Sequence, residues 1–560
     1  MNFHQIPYAR FDMDAACRTL ESLSEQIAAA KSPEAQLALL SEGEKLIQHA
    51  STSSTLAQLR YFLNTADAFY AGEMAYVGQN SPRFDLFVQK LYRSIAASPF
   101  RRELAASLGS FFFEKVEAEA RLSDESVLDL CADEQALCQR YTDLTGQATV
   151  SYCGEELPLS SMSVHYADTD RARRREAVRA TNAWYEAHAA ELDEIFDALV
   201  KNRTEQARRL GFCSYTDMKY ASRFGFGREQ IEAFRAQVLE KWVPFVCEIK
   251  ENQRKRLGVP SFRLYDSPLR FADGNPRLQL TGEAFVRAVG DVFHQMNREA
   301  GAYFNELLQN GMFDLFDRKG KVAYDGFCVE LTDYNTDFIF GHFAGDQTDL
   351  EVLVHEFGHA LAACRARRNP RVPYLLRSGT QEIAETHSKS MELLTIPYLE
   401  PFFTPEDLRK YRIKQIEYAA YFICSICVGD EFQHEIYDHP EMTPSERNAA
   451  YARIYLRYNP YLDTSDLPFA SWGSQWQDMS VIYAMPFYFI DYALAQTQAL
   501  LFYAESQKDP EGAFQRYLRF VDFAGTQPFP QIVRACGLLS PFDEKCFDAL
   551  LPFCRELIKG

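Results

Sequence analysis

Apolar residues recur through most of this chain at three- and four-residue spacing, which gathers them on one face of an α-helix. From about Asp12 to Gly146 that spacing, as in Leu37, Leu39, Leu40 and Leu46, predicts successive amphipathic helices. Long helices are predicted again over Arg171–Leu210, Gly227–Leu257 and Leu280–Asn310, all rich in Ala, Glu, Arg and Leu and punctuated by Gly225–Gly227, Pro260 and Pro268. Two stretches depart from the helical rhythm. ATVSYCGEELPLS alternates around Gly154 as a short hairpin does, and Phe313–Phe343 turns toward β, with turns at Gly320 and Gly326 and alternation at Phe338, Phe340 and Phe343. The reading is a mainly α chain with a small β element, without repeats or low-complexity linkers. It is cut near residue 200 into an N-terminal helical lobe (1–200) and a second lobe (201–560), with a shared core left open.

The β stretch runs directly into Asp349–Ala363, DLEVLVHEFGHALAA, which is apolar nearly all round and predicts a buried helix. It carries His355, Glu356 and His359 as HExxH. Residues four apart share a helix face, so both imidazoles can reach one metal, while Glu356 stands near enough to handle a proton on metal-bound water. A catalytic zinc takes three protein ligands and leaves a position to water. After a loop broken by Pro370 and Pro373, SGTQEIAETHSKSMELL predicts a second helix, started by a capping box from Ser378 to Gln381. Glu382, Glu385, His387 and Glu392 are its candidate ligands, and spacing does not choose between Glu382 and Glu385. The strand before the HExxH helix either offers an open edge to an extended peptide or is covered by other elements.

Composition narrows the function classes. The 560 residues are 47% hydrophobic and 24% charged, a globular balance. A net charge of −19 repels a phosphate backbone, so nucleic acid is set aside as a partner. The basic runs Arg171–Arg175 and Arg365–Arg371 read as solvated faces. No apolar run is long enough to span a bilayer and the N-terminus lacks a secretory pattern, so a cytoplasmic protein without membrane association is expected. Thirteen scattered cysteines fit reduced, mostly buried thiols, and the pair Cys424 and Cys427 reads as helix packing.

HEFGHAL, the AETHSKSMELL helix and the preceding GKVAYDGFC…DFIFGHFAGD segment together resemble the oligoendopeptidase F and thimet oligopeptidase family of zinc peptidases. The likeness continues in YTDMKYASRFGF, DEFQHEIYDHPEMTPSERNAAY and PFYFIDYALAQ, covering the C-terminal two-thirds. It implies a two-lobed helical metallopeptidase with a deep channel that admits oligopeptides. One zinc ion would sit on His355, His359 and Glu385, the last selected by the family's Ala-Glu-x-x-Ser pattern, with Glu356 activating water. Oxyanion donors are implied within Met479–Tyr492, with Tyr488 and Tyr492 foremost and Tyr483 weaker. Relatives often add a histidine in this region, and no histidine follows His439 here. Its absence leaves three outcomes open: reduced activity, a narrower substrate range, or replacement by a tyrosine or by His387. Two other readings stay open. A helical HExxH carboxypeptidase would need a cation such as Arg365, Arg367, Arg368 or Arg377 for a terminal carboxylate, and a zinc-containing peptide-binding protein would lack turnover. His434 and His439 read as surface or packing residues, and Ser471, Gly473 and Ser474 as a turn or a substrate clamp. The oligomeric state is left undetermined.

Overall fold

The computed structural model describes the chain apart from Ser123, residues 323–325, Trp472, residues 559–560 and the side chain of Ala470. The central part of the GKVAYDGFC motif therefore lies outside the described residues. Contacts group the chain into two compact units, each built from separate stretches. One comprises Met1–Ala120, Arg277–Phe403 and Leu501–Leu538, and the other Arg121–Pro276, Thr404–Leu500 and Leu539–Gly560. A cut at residue 200 falls inside the helix Arg171–Arg209 and follows neither unit. Helices dominate both units, and none of those described is long and apolar enough to cross a membrane.

The first unit opens with the helices Met13–Ala29, Pro33–Leu63 and Ala68–Ala96, as the periodicity predicts. Asp12, Ser32 and Asp67 cap them by accepting first-turn backbone N–H groups. The helix expected over Leu280–Asn310 is two helices, Gly282–Met296 and Arg298–Gln309. Asn297 makes the break: its backbone is extended and its side chain accepts from the N–H groups of Glu299 and Ala300, so it caps the second helix.

The small sheet beside the HExxH helix has Thr336–Phe343 at its centre. Phe313–Phe316 pairs with it in parallel and Gly326–Leu331 antiparallel, with Phe327 opposite Phe340 and Cys328 opposite Ile339. The strand leading into the HExxH helix is thus bonded on both sides and has no edge for a peptide. The two edge strands are Phe313–Phe316 and Gly326–Leu331. The central strand joins the helix Gln347–Arg368 through a tight turn, in which the Asp349 carboxylate accepts from the N–H groups of Ala344 and Gly345 at 3.1 and 2.7 Å. At the far end of that helix Arg367 meets Asp337 of the same strand at 2.7 Å and donates to the Tyr303 hydroxyl at 2.9 Å.

In the second unit the predicted hairpin forms between Thr149–Tyr152 and Glu155–Pro158, turning on Cys153 and Gly154 in the left-handed region. The RARRR run is not simply solvated. Arg174, 1% exposed, and Arg171 both bind the buried Asp266 carboxylate, at 3.0 and 2.7 Å. Cys424 and Cys427 are buried in the helix Pro405–Asp438, where burial pushes both thiols up in pKa, as expected of packing residues. His434 is a buried packing residue, bonded to Tyr220 and Arg235, whereas His439 is exposed.

Arg367 and Asp337 keep 5% and 1% of their side-chain surface, so removing one partner strands a buried charge. Asp337→Ala is expected to lose about 3–5 kcal/mol of unfolding free energy in urea titrations. The double substitution Asp337→Ala with Arg367→Met is expected to recover part of that loss.

Candidate metal centre

The site lies in the first unit, where the helices Gln347–Arg368 and Gln381–Leu394 pack against each other. Gly358, the fourth residue of HExxH, sets how closely they approach. A Cβ there would stand 2.8 Å from Ser388 Cα and 3.1 Å from the His387 carbonyl oxygen, backbone atoms that cannot swing aside. The second helix starts at Gln381 with Thr380 at its N-cap, and Ser378 is exposed upstream, so the predicted capping box does not form. Instead Thr380 donates its hydroxyl hydrogen to Glu382 at 2.7 Å.

This packing carries Glu385 between the two histidines. His355 Nε2 and His359 Nε2 lie 3.3 Å apart, and Glu385 Oε2 is 3.4 and 3.9 Å from them. Donors on a tetrahedral zinc at about 2.0–2.2 Å stand about 3.3–3.6 Å from one another; two sides of the triangle fall in that range, and the third, from Glu385 to His359, is longer at 3.9 Å. Among the described residues this is the one group of three metal-binding side chains brought together. Glu385 is fixed in place by Gln381, which donates to Oε1 at 2.8 Å, and by Ser388, which donates to Oε2 at 3.1 Å.

The other candidate ligands have other places. Glu392 accepts from His355 Nδ1 at 2.6 Å, which directs the His355 Nε2 lone pair toward the site. Glu382 takes the Thr380 hydroxyl, and His387 is buried edge-on against Phe520 with its pKa lowered to about 3 by burial. Burial likewise lowers His359 to about 4, which keeps that imidazole neutral and able to bind a metal.

Glu356 is buried on the same helix, and burial raises its pKa to about 7. His355 pulls it back, Glu385 and Glu392 push it further, and the backbone N–H of Cys328 lowers it by hydrogen bonding. That contact ties Glu356 to the edge strand Gly326–Leu331. Gly326 on the same strand lies so close that a Cβ would meet Val352 at 2.4 Å. Sequence reasoning found HExxH but had no signal for the strand that touches Glu356.

Tyr488 and Tyr492 belong to the second unit, where their hydroxyls meet at 3.0 Å. Phe487, just before them, holds a left-handed backbone at φ 65°, a costly conformation for a bulky residue. Arg223 donates to its carbonyl at 2.8 Å and pairs with Asp491, while Gln433 accepts its N–H at 2.7 Å. Arg223 and Gln433 went unnoticed because they are distant in the sequence, and Asp491 because its role shows only through its pairing with Arg223. Tyr483 is core: it is fully buried and stacks on Tyr141 with ring centroids 4.0 Å apart. Ser471 and Ser474 donate to the carbonyls of Pro468 and Phe469, and Gly473 has φ 73°, as in an ordinary turn. Of the arginines that a carboxypeptidase would use, Arg365 pairs with Asp522 and Glu299, Arg367 with Asp337, and Arg368 with Glu299. Arg377 stacks over Tyr374.

A helical chain with HExxH on one helix and a glutamate ligand on the next is the framework of a metallopeptidase. Residues 164–550 match peptidase family M3, and residues 3–123 match the peptidase M3 N-terminal domain. A structure of PZ peptidase A with an inhibitor superimposes with a TM-score of 0.93 at 30% identity, over all of this chain and 99% of that one. A Bacillus anthracis structure bearing the name oligoendopeptidase F gives 0.88 at 30% identity, over all of this chain and 98% of its own. Oligopeptidase PepF of Bacillus subtilis is 24% identical over 345 residues, a stretch that spans 59% of this chain and 50% of that protein. The chain belongs to peptidase family M3.

Gly358→Ala would force the two metal-bearing helices apart at Ser388. The expected result is a loss of about 1–3 kcal/mol in stability together with weaker zinc retention, measured by thermal unfolding and by metal content after dialysis.

Proposed function

We propose that this protein is a zinc-dependent endopeptidase that cleaves internal bonds of short oligopeptides. The observation that carries the reading is the triangle of His355 Nε2, His359 Nε2 and Glu385 Oε2, at 3.3, 3.4 and 3.9 Å, with Glu356 buried beside it. One zinc ion held there would supply a Lewis acid that polarises the scissile carbonyl and makes a water acidic near neutrality. Glu356 takes the proton from the attacking water and returns it to the leaving amine, a task suited to a carboxyl whose pKa has been raised to about 7. The free edge of Gly326–Leu331 offers backbone groups to an extended peptide whatever its side chains. Tyr488 and Tyr492 are assigned as oxyanion donors, supported by their paired hydroxyls and by the strained turn that presents them.

The carboxypeptidase reading loses Arg365, Arg367 and Arg368 to carboxylate partners. A binding protein without turnover has no use for a buried carboxyl group next to HExxH.

Peptides graded from a few residues to small intact proteins, incubated with zinc-loaded protein and analysed by mass spectrometry, test the proposal. Internal cleavage restricted to short peptides is the expected outcome. Loss of terminal residues only would favour a carboxypeptidase, and intact substrates throughout would leave a binding role. Glu356→Gln is expected to keep its zinc and lose about 10²–10⁴-fold in turnover. Tyr488→Phe and Tyr492→Phe are each expected to lower kcat, by up to about 10²–10³-fold for the residue that bears the oxyanion contact. Equal rates in both tyrosine variants and the parent would remove that assignment.

A further inference from the structure

Behind His355, one carboxylate oxygen serves two donors. Glu392 Oε1 accepts from His355 Nδ1 at 2.6 Å and from Lys389 Nζ at 2.8 Å. Both partners of the second contact are buried, with 9% and 10% of their side-chain surface left for Lys389 and Glu392. They stand three residues apart on the helix that also carries Glu385, so the ammonium is built into the wall of the site.

The arrangement opposes its own apparent purpose. A carboxylate that accepts from the far nitrogen of a ligand imidazole strengthens that imidazole as a donor. An ammonium on the same oxygen withdraws electron density from it and cancels its charge. In a buried setting it also adds a fixed positive charge near the place a dication would occupy. A methylene chain ending in an amide or a methyl group would fill similar space without this opposition.

We propose that Lys389 is a positioning residue that holds Glu392 against His355 and, through its charge, weakens metal binding at the centre, which makes the ion exchangeable. This rests on the reading of His355, His359 and Glu385 as a metal centre.

The test measures zinc dissociation constants of full-length protein by competition with a chromophoric chelator, together with zinc release rates. Lys389→Gln retains an N–H donor for Glu392 but removes the charge, and is expected to bind zinc about tenfold tighter with slower release. Lys389→Met, which removes both, is expected to shift in the same direction. Lys389→Arg keeps the charge and is expected to stay within about twofold of the parent. These magnitudes follow the usual range for changes in the residues that support a ligand. A purely structural role for Lys389 predicts the reverse, since a loosened Glu392 would weaken the metal in both neutral variants. Unchanged or weaker binding in Lys389→Gln overturns the proposal, and so does tighter binding in Lys389→Arg equal to that of the neutral variants. His355→Ala keeps the two readings apart. If the parent binds no stoichiometric zinc, or His355→Ala binds as tightly as the parent, the metal centre itself is wrong. If both controls behave as a metal centre requires and the neutral variants do not tighten, only the role of Lys389 falls.

Discussion

Everything at the candidate site depends on the distance between two helices. HExxH supplies two imidazoles on one face, but the third ligand comes from a different helix and must reach between them. The contact of Gly358 with Ser388 and His387 makes that approach possible. With any side chain there the helices would separate, and Glu385 Oε2 would leave its place 3.4 Å from His355. The sheet reinforces the geometry from the other side. Asp349 grips the turn from the central strand, and Arg367 locks the end of the helix to Asp337. The HExxH helix is thereby fixed at both termini and along its middle.

The charge pattern around it follows from the same burial. Glu356, Glu385 and Glu392 are brought into one buried region, where the Lys389 ammonium bonds Glu392. Carboxylates buried together raise each other's pKa, as Glu385 and Glu392 do for Glu356. Such a surplus of negative charge costs stability unless a cation offsets it. A divalent ion on the His355, His359 and Glu385 triangle is the natural counterpart. Burial therefore raises the pKa of the Glu356 carboxyl and also gathers negative charge that a cation would offset.

How much of this was legible in the sequence depended on range. Helices wrote themselves in local periodicity, and the hairpin at Cys153–Gly154 in alternation and turn chemistry. HExxH was legible because both histidines sit on one helix, where four-residue spacing fixes geometry. Glu385 was not separable from Glu382 by spacing, since the choice is made by how two helices dock. The capping box at Ser378 failed because Thr380 sits at the N-cap instead, and the single helix over Leu280–Asn310 failed because Asn297 turned its side chain into a new cap. Strand order was invisible for the same reason that docking was. Only pairing partners reveal that Thr336–Phe343 is central and that the edges are Phe313–Phe316 and Gly326–Leu331. Basic runs misled because the carboxylates that Arg174 and Arg367 bind, Asp266 and Asp337, are not adjacent to them in the chain.

The tyrosine pair shows the same limit from the opposite direction. Composition marked the segment as aromatic, and aromatic residues at helical spacing are most often core, as Tyr483 is. What separates Tyr488 and Tyr492 from Tyr483 is the backbone before them. A phenylalanine in the left-handed region persists only where its surroundings hold it, and Arg223 and Gln433 do so from two sequence-distant positions, with Asp491 four residues on pairing with Arg223. Buried groups committed to one strained turn are hard to explain by packing alone, because a glycine would adopt the same turn without strain. The strain makes sense if the turn must carry a side chain at Phe487 and aim two hydroxyls at once. With no histidine after His439, the Tyr488 and Tyr492 hydroxyls, 3.0 Å apart, are the polar pair that this turn leads into.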